Sequence, residues 1–249
     1  MAGHSKWKNI QVRKTAQDSK KSKYFTKVTK ELMLAAKAGG SDPFNNARLR
    51  SAIAAAKAVN LPKDKIDVAI KKGSGEIAGE IYDEVNYEGY GPNGVAIFVE
   101  AATDNRNRTV AEIRSIMSKN GGNMGEAGCV GWMFEKKGVL RFPKAAGVTE
   151  DRLMEIGLEA GVQDIFDDGD AFVVQTNPED FSPAQAAFEA AGLAPESAEL
   201  TLEPGNTVTV DAETARKLFK LIEALEDNDD VQKVHANFDV PEDVLASMG

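Results

Sequence analysis

The chain has 249 residues, 42% hydrophobic and 28% charged, with 30 Lys and Arg against 39 Asp and Glu and a net charge of −9. That length accommodates two or three domains; no apolar run approaches the roughly 20 residues needed to span a bilayer, and one cysteine, Cys129, excludes an intramolecular disulfide and a cysteine-based zinc site. No hydrophobic leader core follows Met1, and Ala2 stands where myristoylation needs glycine, so the expected location is the reducing cytoplasm.

The charge is unevenly spread. Residues 1–75 hold 17 basic and 5 acidic residues, whereas residues 76–249 hold 13 basic and 34 acidic. The imbalance is steepest in the first 38 residues, where Lys6, Lys8, Arg13, Lys14, Lys20, Lys21, Lys23, Lys27, Lys30 and Lys37 face only Asp18 and Glu31. At helical spacing Phe25, Val28, Leu32, Ala35 and Ala36 gather on one side, and Lys20, Lys23, Lys27, Lys30 and Lys37 on the other. This predicts an amphipathic helix over about residues 21–38 with its ammonium groups facing out; Leu34, which falls among the lysines, is the exception. A lysine stripe is ordinarily a solvated face. Here the acids that surface helices use to balance such a stripe are missing, and a polyanion would relieve the repulsion. Upstream, His4, Lys6, Trp7, Lys8, Arg13 and Lys14 combine cations and an aromatic with too few apolar residues to pack. Trp7 either stacks on a base or caps the helical domain.

Gly39 and Gly40 end that helix. Leu49, Ala52, Ile53 and Ala56 mark a second, and Pro62 opens a third with Ile66, Ala69 and Ile70 on its apolar side. From Tyr82 the period becomes β-like: strands over Tyr82–Tyr87 and Val95–Ala101 flank a hairpin turn at residues 88–94. Gly89, Gly91 and Gly94 match the dinucleotide-binding spacing, but Pro92 interrupts them and a strand follows where that motif needs a helix. Thr109 and Glu112 read as a capping box opening the next helix. Val130, Trp132 and Phe134 alternate as a buried strand face. Residues 139–202 then run strand, helix, strand, strand, helix, strand, the ferredoxin-like order, with Ser182, Pro183 and Gln185 announcing the second helix. The remaining strand, helix and strand cannot form a domain alone. The expected organisation is therefore multi-domain α+β: a basic helical domain (1–77), a discontinuous α+β domain (78–136 and 205–249), and a ferredoxin-like α+β domain inserted into it (137–204).

Catalytic signatures are missing. His4 and His235 are the two histidines, far apart, and the chain has neither a phosphate-binding loop ending in Gly-Lys-Ser/Thr nor a Gly-x-Ser-x-Gly elbow. The acidic groups Asp164, Asp167, Asp168, Asp170 and Glu226, Asp227, Asp229, Asp230 lack calcium-loop spacing and fall at turns. No metal, cofactor or catalytic residue is expected. Arg106 and Arg108 precede the capped helix and are candidates for meeting a phosphate there, the other reading being that they pair with neighbouring acids. The inserted module shares the plan of an RNA-recognition domain, but its middle strand, residues 171–175, lacks the stacking aromatics and basic residues. With 4 basic and 14 acidic residues it suits basic protein surfaces better.

The opening Gly3, His4, Ser5, Lys6, Trp7, the Leu61, Pro62, Lys63, Asp64 turn, and the segments Tyr87–Gly94, Thr103–Thr109, Gly121–Gly128, Phe134–Gly138 and Asp229–Phe238 resemble the YebC family, which includes PmpR-type regulators. The likeness covers essentially the whole chain; Asn93, Met124 and Cys129 depart from the residues frequent there, and none of these departures removes a cation. It implies three domains around a cavity and a cytoplasmic, non-enzymatic regulator, described as a probable DNA-binding transcriptional regulatory protein. Mitochondrial relatives are translational activators of a cytochrome oxidase subunit, and some bacterial ones act on ribosomes stalled at proline-rich stretches. The expected partner is thus DNA or ribosomal RNA, with the ribosome or other basic proteins as contacts of the acidic domains and no membrane. The expected binding residues are His4, Lys6, Trp7, Lys8, Arg13, Lys14, Lys20, Lys21, Lys23, Lys27, Lys30, Arg106 and Arg108.

Overall fold

The computed structural model describes residues 18–247 apart from residue 146. In chain order the elements are α1 (Asp18–Gly39), α2 (Ala47–Ala58), α3 (Lys63–Ser74), β1 (Asp83–Tyr90), β2 (Ala96–Thr103), α4 (Arg106–Lys119), β3 (Asn123–Met124), β4 (Phe134–Pro143) and α5 (Glu150–Leu158). They continue with β5 (Val162–Asp167), β6 (Ala171–Thr176), α6 (Phe181–Ala190), β7 (Ser197–Pro204), β8 (Val208–Thr209), α7 (Ala212–Glu226), β9 (Val231–Ala236), β10 (Phe238–Asp239) and α8 (Glu242–Ser247). The chain divides into two compact units: one extends to Gly131 and resumes over Val210–Ala236, and the other comprises Trp132–Thr209 with the residues from Asn237 onward.

The first unit begins with the three expected helices. Leu32, Ala35, Leu49, Ala52, Ala56, Leu61, Ile66 and Ala69 form their common core. Asn46 joins α1 to α2: its side chain accepts from Leu49 N and donates to Ala35 O and Gly40 O, satisfying a helix start and a helix end together. The small residues of α2 let the helices approach closely, and α3 meets α1 at Gly73, where a Cβ would fall on the Met33 backbone. The rest of the unit is an antiparallel sheet in the order β3-β1-β2-β9. The C-terminal strand β9 therefore completes the β1–β2 hairpin, as the leftover-strand reasoning requires. Helix α7 packs against β9 and α4. The glycine-rich 89–94 stretch is the hairpin turn, closed by Gly91 N donating to Val95 O at 2.8 Å.

The second unit contains the ferredoxin-like module, an antiparallel sheet in the order β5-β6-β4-β7. Leu140, Phe142, Ile165, Phe172 and Val174 from the strands pack with Leu153 of α5 and Phe181, Ala184 and Phe188 of α6. Strands β8 and β10 form a separate parallel pair, so the segment expected at 207–210 does not join the β1–β2 sheet.

Three local expectations are corrected. The cap of α4 is Asn105, whose side chain accepts from Arg108 N, so the helix starts at Arg106; Thr109 lies inside it, fully buried. Helix α6 starts at Phe181 after Asp180, ahead of the Ser182–Pro183 signal. Trp132 sits in a 3₁₀ turn (Gly131–Met133) that breaks the strand alternation, which leaves its side chain 72% exposed rather than in the core. Strand β4 runs unbroken through residues 136 and 137.

Gly73→Ala measures how tightly α1 and α3 cross. Glycine to alanine within a helix ordinarily stabilises by up to about 1 kcal/mol; here the overlap with Met33 is expected to reverse the sign and cost about 1–3 kcal/mol in chemical denaturation.

Candidate nucleic-acid interface

The lysine face of α1 is covered by the chain's own acidic turn. Lys30 Nζ donates to Asp230 Oδ1 at 2.7 Å, Asp229 O at 2.8 Å and Ala102 O at 3.1 Å, and lies 4.9 Å from the centre of the Tyr82 ring. An ammonium has three N–H donors, and all three are taken; with only 5% of the residue exposed, Lys30 has nothing left for a phosphate. Lys27 Nζ donates to Glu226 O at 2.7 Å, and Lys23 Nζ meets Asp227 Oδ1 and Asp227 O, both at 3.1 Å. These carbonyls stand at the C-terminal end of α7, where peptide oxygens lack helical partners and the helix dipole is negative. Burial lowers the Lys27 pKa from the usual lysine value, opposed by the carboxylates of Glu226 and Asp227. Leu34, on the same side as Lys27 and Lys30, is 4% exposed. Its place among the lysines was the sequence signal that this face is packed.

Asp230 is the centre of this arrangement. Its second oxygen accepts from Arg108 Nη2 and Thr109 Oγ1, both at 2.7 Å, and from Thr103 Oγ1 at 3.3 Å. Its backbone carbonyl accepts from Ala102 N at 2.7 Å. Burial by itself would raise the carboxyl pKa; the hydrogen bonds from Arg108, Lys30 and Thr109 outweigh it and hold the group at about 2. In the sequence Asp230 reads as one acid in a turn, because its partners on α4 lie more than 120 residues away.

Arg106 and Arg108 are placed at the start of α4 as expected, but among acids. Arg108 bridges Asp104 and Asp230, at 2.9 and 2.7 Å, and Asp230 in particular raises its pKa. Arg106 approaches Asp83 at 3.5 Å with its side chain 65% exposed. Lys37 also meets Asp83, at 3.2 Å. Lys20 and Lys21 lie on α1, and His4, Lys6, Trp7, Lys8, Arg13 and Lys14 lie outside the described residues.

A different group of cations remains open. Arg48 is held by Glu31 and Glu84, whereas Arg50, Lys57, Lys63, Lys65 and Lys71 are exposed and have no carboxylate within ion-pair distance among the described residues. Helix α2 carries no acidic residue at all. The composition count included these five, but with no amphipathic lysine stripe to draw attention they were not singled out. Phe44 projects from the α1–α2 turn beside Arg50, whose Nη1 donates to its carbonyl oxygen, and is 87% exposed.

Elsewhere in the unit, the Glu88 carboxylate accepts from the backbone N–H groups of Gly128, Val130 and Gly131 at 2.7, 2.8 and 2.6 Å. Burial would raise its pKa, but these donors lower it on balance, and the contacts anchor the glycine-rich loop to β1. His235 Nε2 lies 2.5 Å from Glu100 Oε1. Among the described residues no group of three or more His, Cys, Asp or Glu could hold a metal ion, and no helix is long and apolar enough to cross a membrane.

The helical region, the two antiparallel sheets and the ferredoxin-like module define a mixed α+β protein with an unevenly cationic N-terminal part. The chain belongs to the TACO1/YebC family: the model of the family's N-terminal domain matches residues 5–76, and that of its second and third domains matches residues 82–238. It is 66% identical over 98% of its length to all of a "Probable transcriptional regulatory protein" from Solidesulfovibrio magneticus. It is 60% identical over its full length to 99% of a protein of the same name from Maridesulfovibrio salexigens. A crystal structure of the conserved hypothetical protein Aq1575 from Aquifex aeolicus superposes with a TM-score of 0.82 at 45% identity, covering 92% of this chain and 94% of that one.

Asp230→Ala is expected to destabilise the protein by about 3 kcal/mol, because it strands Lys30 in a buried site. Lys30→Met should cost a similar amount, and the double variant much less than the sum. The pH dependence has a fixed sign. A carboxyl lowered from 3.8 to about 2 contributes stability that is complete above pH 3.8 and lost as pH falls through about 2, so acid unfolding of wild type should include a step that Asp230→Ala lacks.

Proposed function

We propose that this chain is a nucleic-acid-binding regulator of gene expression that acts in the cytoplasm without a catalytic step or cofactor. The observation that carries the reading is the set of open cations on the helical region, Arg50, Lys57, Lys63, Lys65 and Lys71, on a protein whose net charge is −9. Cations of α2 and α3 without carboxylate partners, on an otherwise acidic protein, offer polyanions a local positive surface even with Asp64 and Asp67 among those of α3. The basic residues 1–21 extend that surface in sequence, with His4, Lys6, Trp7, Lys8, Arg13, Lys14, Lys20 and Lys21 as its contacts. Arg106, and Lys23 beyond its exposed pair, are secondary contacts. The name carried by the relatives favours DNA and transcription; ribosomal RNA and translation are the alternative, since lysine and arginine neutralise either backbone equally. The division into a helical domain (1–77), a discontinuous α+β domain (78–136 and 205–249) and an inserted domain (137–204) belongs to the same proposal. In it the acidic domains orient the helical one or recruit proteins.

A second reading, that the basic segment serves contacts within the protein, is favoured for Lys23, Lys27 and Lys30 by their engagement with residues 226–230.

The test is the salt dependence of binding to duplex DNA and to RNA. Exchanging Arg50, Lys57, Lys63 and Lys65 for glutamine should weaken binding at least tenfold near 0.1 M salt and flatten the plot of log affinity against log salt by up to about 3. An unchanged slope would place the interface elsewhere. Crosslinking in cells followed by sequencing of the bound nucleic acid separates the two targets: enrichment of ribosomal RNA over chromosomal DNA would reject the transcriptional role.

A further inference from the structure

A fully buried phenylalanine gains about 1.5–3 kcal/mol over an exposed one, yet Phe44 stands 87% exposed in a turn that is itself tightly built. A single exposed apolar side chain is ordinary. Two other features set this one apart.

The first is the pedestal beneath the ring. Asp42 Oδ1 accepts from Phe44 N at 3.0 Å and Asp42 Oδ2 from Asn45 Nδ2 at 2.7 Å. Arg50 Nη1 donates to both Pro43 O and Phe44 O at 2.8 Å, and Asn46 fastens the end of the turn to α1 and α2. The backbone carrying the ring is therefore held before any partner arrives, which lowers the ordering cost of a contact. The second is the charge beside it. Arg50 keeps its Nε and Nη2 donors uncommitted among the described residues. Lys57 follows seven residues on, on the same face of α2 and about 10 Å along the axis, with exposed Ala54 between them. Asp42 is the one acid in the turn, and both its oxygens are occupied by the pedestal.

We propose that Phe44 stacks on an unpaired base while Arg50 and Lys57 hold the phosphates beside it, so that this surface selects single-stranded or looped nucleic acid over a continuous duplex. An exposed ring among cations without acidic partners matches the composition of single-strand binding surfaces, where stacking on aromatic side chains adds to backbone neutralisation. A duplex hides the faces of its bases and would leave Phe44 idle. The occupant is a nucleic acid rather than an apolar protein pocket because Arg50 and Lys57 have no carboxylate within ion-pair distance among the described residues, while the one acid of the turn, Asp42, has both oxygens occupied. The inference rests on the nucleic-acid reading above and narrows it to a substrate class.

The experiment compares full-length wild type, Phe44→Ala and Phe44→Trp by fluorescence anisotropy. The probes are a mixed-sequence RNA strand of about 20 nucleotides, its DNA counterpart, and the matching duplexes. Phe44→Ala is expected to weaken single-strand binding by at least about fivefold and to leave duplex binding within about twofold, with Phe44→Trp retaining wild-type affinity. Thermal unfolding of the three should coincide, since the ring packs on little. Equal loss on strand and duplex, failure of tryptophan to substitute, or no loss on either probe would each overturn the stacking role. The last result, with wild type still binding, leaves the nucleic-acid reading intact and assigns Phe44 to a protein contact. If wild type binds neither strand nor duplex, the nucleic-acid reading falls and the stacking role with it.

Discussion

The buried pair of Lys30 and Asp230 fixes how the helical region sits on the first sheet. Two ions removed from water lose several kcal/mol of solvation each, and their attraction offsets this only where the remaining donors and acceptors are also satisfied. Here they are: Lys30 uses three N–H groups on three oxygens, and Asp230 receives Arg108 and Thr109 on its other side. One carboxylate thus gathers α1, the end of β2, the first turn of α4 and the turn before β9. An apolar contact would tolerate sliding among these elements; a pair with this many directional bonds does not.

That constraint divides the positive charge of the N-terminal part in two. Lys23, Lys27, Lys30, Lys37, Arg48 and Lys72 face carboxylates or carbonyl oxygens of their own chain. Arg50, Lys57, Lys63, Lys65 and Lys71, on α2 and α3, have no carboxylate within ion-pair distance among the described residues, and Arg50 spends only Nη1 on carbonyl oxygens. A charge count over residues 1–75 merges both groups. Only the fold tells cations used in construction from cations left for a partner.

Much of the architecture was legible because it is written in local periods. The three helices, the hairpin at 89–94, the ferredoxin-like order and the return of the C-terminal strand to the first sheet all follow from spacing, turn residues and the need to pair a leftover strand. The failures at Thr109 and along α1 come from competition by distant residues. Thr109 looks like a cap by its own neighbours, but a buried carboxylate from residue 230 takes its hydroxyl and Asn105 caps instead. Trp132 follows strand alternation on paper, yet the 3₁₀ turn at 131–133 turns it outward. The lysine stripe of α1 looks solvated until α7 presents its terminal carbonyls to it; Leu34 was the one residue whose position spoke against solvent.

The pairs along α1 are not equivalent, and their gradient matters for any polyanion. Lys23 and Asp227 are 41% and 56% exposed, a pair of the kind that contributes at most about 1 kcal/mol and is screened by salt. Parting Lys23 from Asp227 therefore costs little. At Lys30 both side chains are 7% exposed, and drawing the ammonium away would strand Asp230 in the interior. Helix α1 is thus open to exchange of its ionic partners at its first turns and closed two turns further along. The weaker pair lies at the end of α1 that follows the basic residues 1–17 in sequence, and parting it leaves untouched the carboxylate that keeps the helices on the sheet.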